Sequence, residues 1–221
     1  MSDADQPVEP TRTERKEHTR RAILAAALKL TEDSSLGALS LRAVAREVGI
    51  APNALYRHFA SADHLGLALV EESFGALRTM LMEVRTAPLT NDGVIGASVS
   101  VLIERVKADR AQFAFISRER VGASPVVRAA IARELELFEA EVATDFARLP
   151  GAIHWSTDDL RISAGMIVAT LVAAAERLIY STPTPELEAE VARRTKRQFR
   201  MIAIGALNWR SSGRRSGDDR Q

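Results

Sequence analysis

The sequence of 221 residues contains no cysteine. This absence excludes disulfides and thiolate-bound metals, and it fits a reducing compartment. The first ten residues carry three acids and no apolar stretch, so we expect no secretion signal. The longest strongly apolar run, residues 166–175, is too short to cross a bilayer. Together these absences predict a cytoplasmic protein with no membrane partner.

Motifs of the common catalytic sites are also missing. The chain has no G-x-S-x-G elbow, no glycine-rich phosphate loop and no His-Glu-x-x-His sequence. Its four histidines, at positions 18, 58, 64 and 154, are scattered. We therefore expect no enzyme activity, no cofactor and no metal site.

Strand patterns are the third absence. No segment alternates apolar and polar residues, whereas apolar residues, 46% of the chain, recur at helical spacing. The sequence predicts an all-α fold of about nine helices, with a three-helix head at the N-terminus and a larger helical domain after it. One predicted helix, from residue 61 to about 86, is long enough to belong to both.

The most informative stretch is residues 40–59. Its first helix has one apolar stripe, formed by Leu41, Val44, Ala45 and Val48. The Ser40 hydroxyl is placed to cap this helix, and Gly49 can end it by taking a left-handed conformation. Pro52 then suits the first position of a second helix. A helix, a glycine turn and a second short helix predict a helix-turn-helix.

The exposed positions of the second helix carry side chains that suit DNA. The Asn53 amide can pair with adenine and the Ala54 methyl can contact thymine, while the following side chains can reach phosphates. The net charge is only +1, but five bases cluster at residues 11–21, directly before the motif. The predicted DNA-binding residues are Lys16, Arg20, Arg21, Ser40, Arg42, Pro52, Asn53, Ala54, Tyr56, Arg57 and His58. The alternatives are a solvated helix face for the basic cluster and an unrelated helical core for the motif.

Residues 39–59, which end in Tyr-Arg-His-Phe, resemble the DNA-binding signature of the tetracycline-repressor (tetR) family. The resemblance implies a homodimeric repressor that binds a double-stranded DNA operator with an inverted repeat and encloses an effector in its C-terminal domain. Family members commonly have Lys three residues after the Phe, where this chain has Ala62, so Arg57 or His64 would have to hold that phosphate. The implied domains are a disordered arm (1–12), a helix-turn-helix DNA-binding domain (13–60), an effector-binding and dimerisation domain (61–209) and a disordered tail (210–221).

A narrower resemblance concerns the effector. Residues 118–122 and 127–134, together with residues 56–59 and 65–67, are similar to the tetR-type repressors of unsaturated-fatty-acid synthesis, which sense long-chain acyl thioesters such as acyl-CoA. The predicted pocket comprises Phe74, Leu77, Met80, Leu81, Leu102, Phe113, Ile116, Arg120, Phe138 and Met166, with Arg118, Glu119 and Arg120 near its mouth. From spacing alone, these residues could simply fill a core. The alternative effectors are other lipophilic molecules, with drug efflux or catabolism as the regulated process, and the alternative class is an acyl-binding carrier or enzyme.

The predicted eighth helix is apolar nearly all round, so all of its surface must be covered. The resemblance implies that a second subunit covers part of it, through a dimer interface of helices 8 and 9. The predicted interface residues are Ile167, Leu171, Ala174, Leu178, Phe199 and Ile202. The alternative is that this helix is the centre of the core of a single chain.

Overall fold

A computed structural model of the protein describes residues 11–32, 34–86, 90–148 and 155–209. Within these ranges the chain is all-α and has no strand, which confirms the predicted fold class. The helices are α1 (Arg12–Leu30), α2 (Leu41–Val48), α3 (Pro52–Tyr56), α4 (Ala62–Val84), α5 (Asn91–Ala108), α6 (Arg110–Glu119), α7 (Pro125–Phe146), α8 (Thr157–Tyr180) and α9 (Pro185–Asn208). A short 3-10 turn, Leu36–Ala38, precedes α2.

The predicted disordered arm and tail fall outside the described residues, except at the end of the arm. There α1 begins at Arg12, earlier than expected, because Thr11 and Glu14 form a capping box. The Thr11 hydroxyl accepts from the Glu14 N–H at 3.2 Å, and the Glu14 carboxylate accepts from the Thr11 N–H at 2.6 Å.

Most helix starts follow from local capping chemistry. The Ser61 hydroxyl accepts from the His64 N–H at the start of α4, and a Ser or Thr hydroxyl does the same for α5, α7, α8 and α9. The prediction for Ser40 is wrong, since this residue precedes α2 but its side chain makes no capping hydrogen bond. The turn after α2 is as predicted: Gly49 has a φ of 75°, and the Ile50 N–H donates to the Ala45 carbonyl at 3.0 Å.

The buried apolar residues form two hydrophobic clusters, and helices α4, α6 and α7 contribute to both. The head cluster joins α1–α3 to the first half of α4, to Phe115 and Ile116 of α6 and to the start of α7. The distal cluster joins the second half of α4 to α5, α8, α9 and the remainder of α6 and α7. Because Leu77 packs against both clusters, the division between them lies inside α4 and not at its N-terminus.

The head packs closely against the larger domain at Gly66 of α4. A Cβ at this position would collide with the Leu36 and Val127 side chains, which belong to the turn before α2 and to α7. Glycine therefore allows three elements to meet where the head contacts the larger domain.

Helix α8 is, among the described helices, long and apolar enough to cross a membrane by length and composition. The sequence argument from the length of its apolar run does not hold for the whole helix of 24 residues. In the structure α8 packs against α5, α6, α7 and α9. This arrangement is that of a core helix.

Candidate DNA-binding face and ligand cavity

Helix α3 presents its polar side chains outward because two apolar residues anchor it. Leu55 is fully buried and Phe59, just after the helix, is nearly so, and both belong to the head cluster. The side chains of Asn53, Tyr56 and Arg57 are exposed on the opposite side. This short helix is therefore fixed by its buried face and offers an amide, a phenol and a guanidinium to a partner.

Basic side chains of α1 lie beside the end of α3. The Arg20 guanidinium lies over the Phe59 ring, 5.7 Å from its centroid, a cation–π contact that orients the side chain. Burial lowers the pKa of His58, and the neighbouring charges of Lys16, Arg57 and Arg20 lower it further. The structure thus brings four of the predicted DNA-binding residues into one positively charged region.

The other predicted DNA-binding residues also lie at the surface of the head. Arg21, Ser40, Arg42 and Pro52 are exposed, and Ala54 is half-buried. Since the Ser40 hydroxyl does not cap α2, it is available for a hydrogen bond from outside the chain. Base-reading and phosphate-binding roles remain predictions for all of these residues.

Sequence reasoning missed how the larger domain holds the head. The Arg118 guanidinium of α6 donates to the carbonyls of Thr31, Glu32 and Ser34, with distances of 2.6 Å to Glu32 and 2.9 Å to Ser34. The next residue, Glu119, is buried, and its Oε1 accepts from the Leu36 N–H at 2.8 Å. Both contacts span more than 80 positions of the sequence, so no local pattern signals them. Both residues were predicted near the pocket mouth; the structure places them outside the lining of the two apolar chambers, in contact with the head.

The larger domain contains an apolar cavity of two adjoining chambers. The large chamber, of about 290 Å³, lies between α4, α5, α7 and α8. The small chamber, of about 60 Å³, extends toward α6. Met80, Phe138 and Leu171 line both chambers and separate them. Ligand pockets are typically about 300–1,000 Å³ and mostly apolar, so the two chambers together reach the lower end of that range.

Each chamber has polar groups at one side. At the large chamber, Arg85 Nε contacts the Asp145 carboxylate at 2.9 Å, and Arg148 contacts the same carboxylate at 3.5 Å. At the small chamber, Arg120 and Ser117 both donate to Glu176, at 2.8 and 2.9 Å. The cavity is therefore apolar inside, and ion pairs lie at its edges.

Eight of the ten predicted pocket residues line these chambers. They are Leu77, Met80, Leu81, Leu102, Phe113, Ile116, Arg120 and Phe138. Two predictions are wrong: Phe74 is buried in the head cluster, and Met166 is 45% exposed on the outer surface of α8.

The predicted dimer residues lie on the inner face of α8 and α9. Leu171, Ala174, Leu178 and Phe199 are buried in the distal cluster. Ile167 and Ile202 are partly buried against it. Two of them, Ile167 and Leu171, line the cavity. A helix that is apolar all round gives no period from which to choose a face, so the sequence could not show that these residues face the core of the single chain.

The outer face of the same two helices is the one left uncovered. Its exposed apolar side chains include Ile162 and Met166 on α8 and Met201 and Ile204 on α9. The spacings of four on α8 and three on α9 place each set along one side of its helix.

No group of three or more His, Asp or Glu side chains that could hold a metal ion occurs in the described ranges. An exposed helix-turn-helix with a positively charged flank, joined to a helical domain with an apolar cavity, is typical of DNA-binding transcriptional regulators.

Comparison with known proteins identifies the type of the head domain. Residues 23–69 match the family model described as bacterial regulatory proteins, tetR family. This match covers most of the head and the start of α4, so the head is a DNA-binding domain of the tetR type.

Solved structures share the fold over nearly the whole chain. The fatty acid degradation regulator FadR from Bacillus halodurans is 15% identical, with a TM-score of 0.66 over 87% of this chain and 97% of that one. A TetR-like transcriptional regulator from Rhodococcus sp. RHA1 is 16% identical, with a TM-score of 0.67 over 89% and 100%. AibR, solved in complex with isovaleryl coenzyme A and operator DNA, is 15% identical, with a TM-score of 0.63 over 84% and 97%. At these identities the likeness concerns the fold alone.

Proposed function

We propose that this regulator is a cytoplasmic, homodimeric repressor whose operator binding responds to a lipophilic effector in the apolar cavity. The observation that carries the proposal is the position of α4. Its residues Leu77, Met80 and Leu81 line the cavity, and residues 65–74 of the same helix are packed in the head cluster. A ligand that displaces the second half of α4 therefore acts on the element to which the head is attached. Such a ligand changes operator affinity only if its own affinity for the cavity differs between the DNA-bound and the free positions of the head.

A long-chain acyl thioester is the effector class that we favour. The cavity is lined mainly by aliphatic side chains together with Phe113, Phe138 and Phe146 and the adaptable Met80. Structures of similar fold include a fatty acid degradation regulator and a complex with isovaleryl coenzyme A. Control of lipid-metabolism genes would follow. The second candidate is another apolar effector, with efflux or catabolism as the regulated process, and the cavity lining is equally compatible with it.

The proposed dimer uses the outer face of α8 and α9. Exposed apolar side chains on both helices are at risk of non-specific association in a monomer. Pairing this face with a second copy about a two-fold axis would cover them in a four-helix arrangement. Two heads would then contact an inverted repeat whose half-sites lie whole helical turns apart, about 34–36 Å for each turn.

Selection from a random pool of DNA duplexes, followed by fluorescence anisotropy across a salt series, tests the repressor assignment. We expect an inverted repeat bound in the nanomolar range, and an acyl thioester of suitable length should change that affinity by about 5–150-fold. Weak binding without sequence preference would favour an acyl-binding carrier. Sequence-specific binding that no acyl chain alters would leave the repressor and remove the acyl effector.

Two methionines of similar exposure test the dimer face. Met166 on α8 is 45% exposed and Met82 on α4 is 58% exposed. Because their exposure is similar, each position should accommodate an Arg side chain about equally well in the single chain. We expect Met166→Arg to give a folded monomer by sedimentation velocity and to abolish tight operator binding, while Met82→Arg remains dimeric. A dimeric Met166→Arg protein with unchanged operator affinity would disprove this interface.

A further inference from the structure

A second, polar cleft lies between the head and the larger domain. It has a volume of about 530 Å³ and is bounded by Glu32 after α1, by α6 and by the end of α8. Two arginines line it, Arg110 from the start of α6 and Arg118 from its end. We call this space the arginine cleft, and it is separate from the two apolar chambers.

The positive charge of the arginine cleft is only partly compensated. Arg110 donates to the carbonyls of Leu178, at 3.1 Å, and of Ile179, and the partners of Arg118 are three carbonyls of the segment after α1. Within the described ranges neither guanidinium forms an ion pair, and Glu32 is the acid among the lining residues. Main-chain carbonyls orient a guanidinium but carry no full charge, so an anion in this cleft gains attraction from both arginines.

The arginine cleft adjoins the small apolar chamber. Ile179 lines both spaces. Beside it, the hydroxyls of Tyr180 and Ser117 are hydrogen-bonded at 3.1 Å, and Tyr180 lines the cleft while Ser117 lines the chamber. One residue layer thus separates an apolar space from a cationic one.

We propose that the effector is an amphiphile whose anionic end binds between Arg110 and Arg118, with its apolar chain passing Ile179 into the two chambers. This inference rests on the proposed function, because it assigns the polar end of the same ligand. The anionic end is a phosphate or a carboxylate, since a guanidinium pairs with both in bidentate geometry.

The position of Arg118 gives this site a direct effect on the head. An anion that attracts the Arg118 guanidinium competes with the carbonyls of Thr31, Glu32 and Ser34. The segment between α1 and α2 then loses a contact with α6 while the Glu119–Leu36 hydrogen bond is retained. The polar end of the effector would therefore loosen the head, in addition to any displacement of α4 by the chain.

The test uses probes that share a ten-carbon chain and differ in the polar end: decanoyl-CoA, decanoate and neutral decan-1-ol. Isothermal titration of the purified protein should show that at least one anionic probe binds about tenfold or more tightly than decan-1-ol, because only the anionic probes can form charge-assisted hydrogen bonds with the guanidinium groups. A comparison of the affinities for decanoyl-CoA and decanoate distinguishes a phosphate site from a carboxylate site. The affinity for free coenzyme A measures how tightly the polar part binds without an acyl chain.

Arg110→Gln should lower affinity for the preferred anionic probe about tenfold and leave decan-1-ol unchanged. Retained decan-1-ol binding also shows that the variant is folded. Arg110→Lys, which keeps the charge, should retain part of the preference. The matched control is Arg177→Gln on α8, an exposed arginine paired with Glu190 at 2.7 Å and outside the cleft lining.

Equal binding of all three ten-carbon probes, or an Arg110→Gln variant with undiminished anion preference, would overturn the anionic site while the lipophilic effector stands. If none of the probes binds or changes operator affinity, the proposed function fails in its effector and this inference fails with it.

Discussion

The head and the larger domain use their sequences in opposite ways. In the head, the buried residues fix two short helices and most of the predicted DNA-binding residues are exposed, so position in the motif is enough to predict which side chains reach the surface. In the larger domain, the cavity lies inside and the uncovered face of α8 lies outside. There, the face of the helix determines the role of a residue. We therefore expect surface substitutions in the head to change DNA binding without changing stability. In the larger domain, substitutions in the cavity lining should change stability and ligand binding together.

The largest expected effect compares two phenylalanines, one from each cluster. Phe115 is fully buried in the head cluster, and Phe115→Ala should lower the free energy of unfolding by about 3–5 kcal/mol. Phe138 borders both chambers, so part of its ring already lacks neighbours. The loss of unfolding free energy in Phe138→Ala should therefore be smaller than that in Phe115→Ala, by about 1 kcal/mol or more. Urea denaturation measures both. Equal losses would contradict the distinction, as would a change in ligand affinity only in Phe115→Ala.

The next comparison separates base reading from phosphate binding within α3. Asn53→Ala should lower affinity for the selected operator by about 1–3 kcal/mol and relax the preference at one base pair. Arg57→Ala should weaken binding to all sequences alike and reduce the salt slope by about 1. Anisotropy on the operator and on a scrambled duplex measures both. If the two variants show the same uniform loss, Asn53 does not read a base.

Two serines that precede helices should differ in what they contribute. Ser61 caps α4, so Ser61→Ala should lower stability by about 1 kcal/mol. Ser40 makes no capping bond, so Ser40→Ala should leave stability nearly unchanged and weaken operator binding instead. Thermal unfolding and anisotropy are the measurements. A Ser40→Ala variant that is destabilised as much as Ser61→Ala would show that Ser40 caps α2 in solution.

The smallest expected effect is a pH dependence of operator binding through His58. Burial and the charges of Lys16, Arg57 and Arg20 lower the pKa of His58 in the free protein, whereas a phosphate beside the ring favours its charged form. The complex then binds more protons than the free protein, so operator affinity should rise as the pH falls below about 6.5. The rise should stay below about tenfold for a pKa difference of one.

The control for this prediction is the exposed His64 at the start of α4. His58→Gln should remove most of the pH dependence between pH 7.5 and 5.5, and His64→Gln should keep it. The same slope in wild type and His58→Gln would show that another group takes up the proton.

The sequence by itself determined the elements with local causes. The start of α3 followed from Pro52, the α2–α3 turn followed from Gly49, and the helix-turn-helix followed from the spacing between them, whereas the predicted Ser40 cap of α2 is absent. Seven of the predicted residues that line the chambers are apolar, and their periodicity marks the inner sides of α4–α7, although spacing alone could not show that these sides border a cavity. These signals lie within one or two helical turns, a range over which residue type and backbone geometry are directly coupled.

Tertiary structure decided what depends on distant partners. Whether Ile167 or Met166 faces the cavity could not follow from α8, because a helix that is apolar all round has no preferred side until its neighbours are placed. Arg118 and Glu119 bind the head and not the chambers, through contacts more than 80 positions away. Helix α6 contacts the head, the small chamber and the arginine cleft, and only the packing of the whole chain places it there. Hydrophobic burial is non-directional, so the partners of a helix are determined only once the core is assembled.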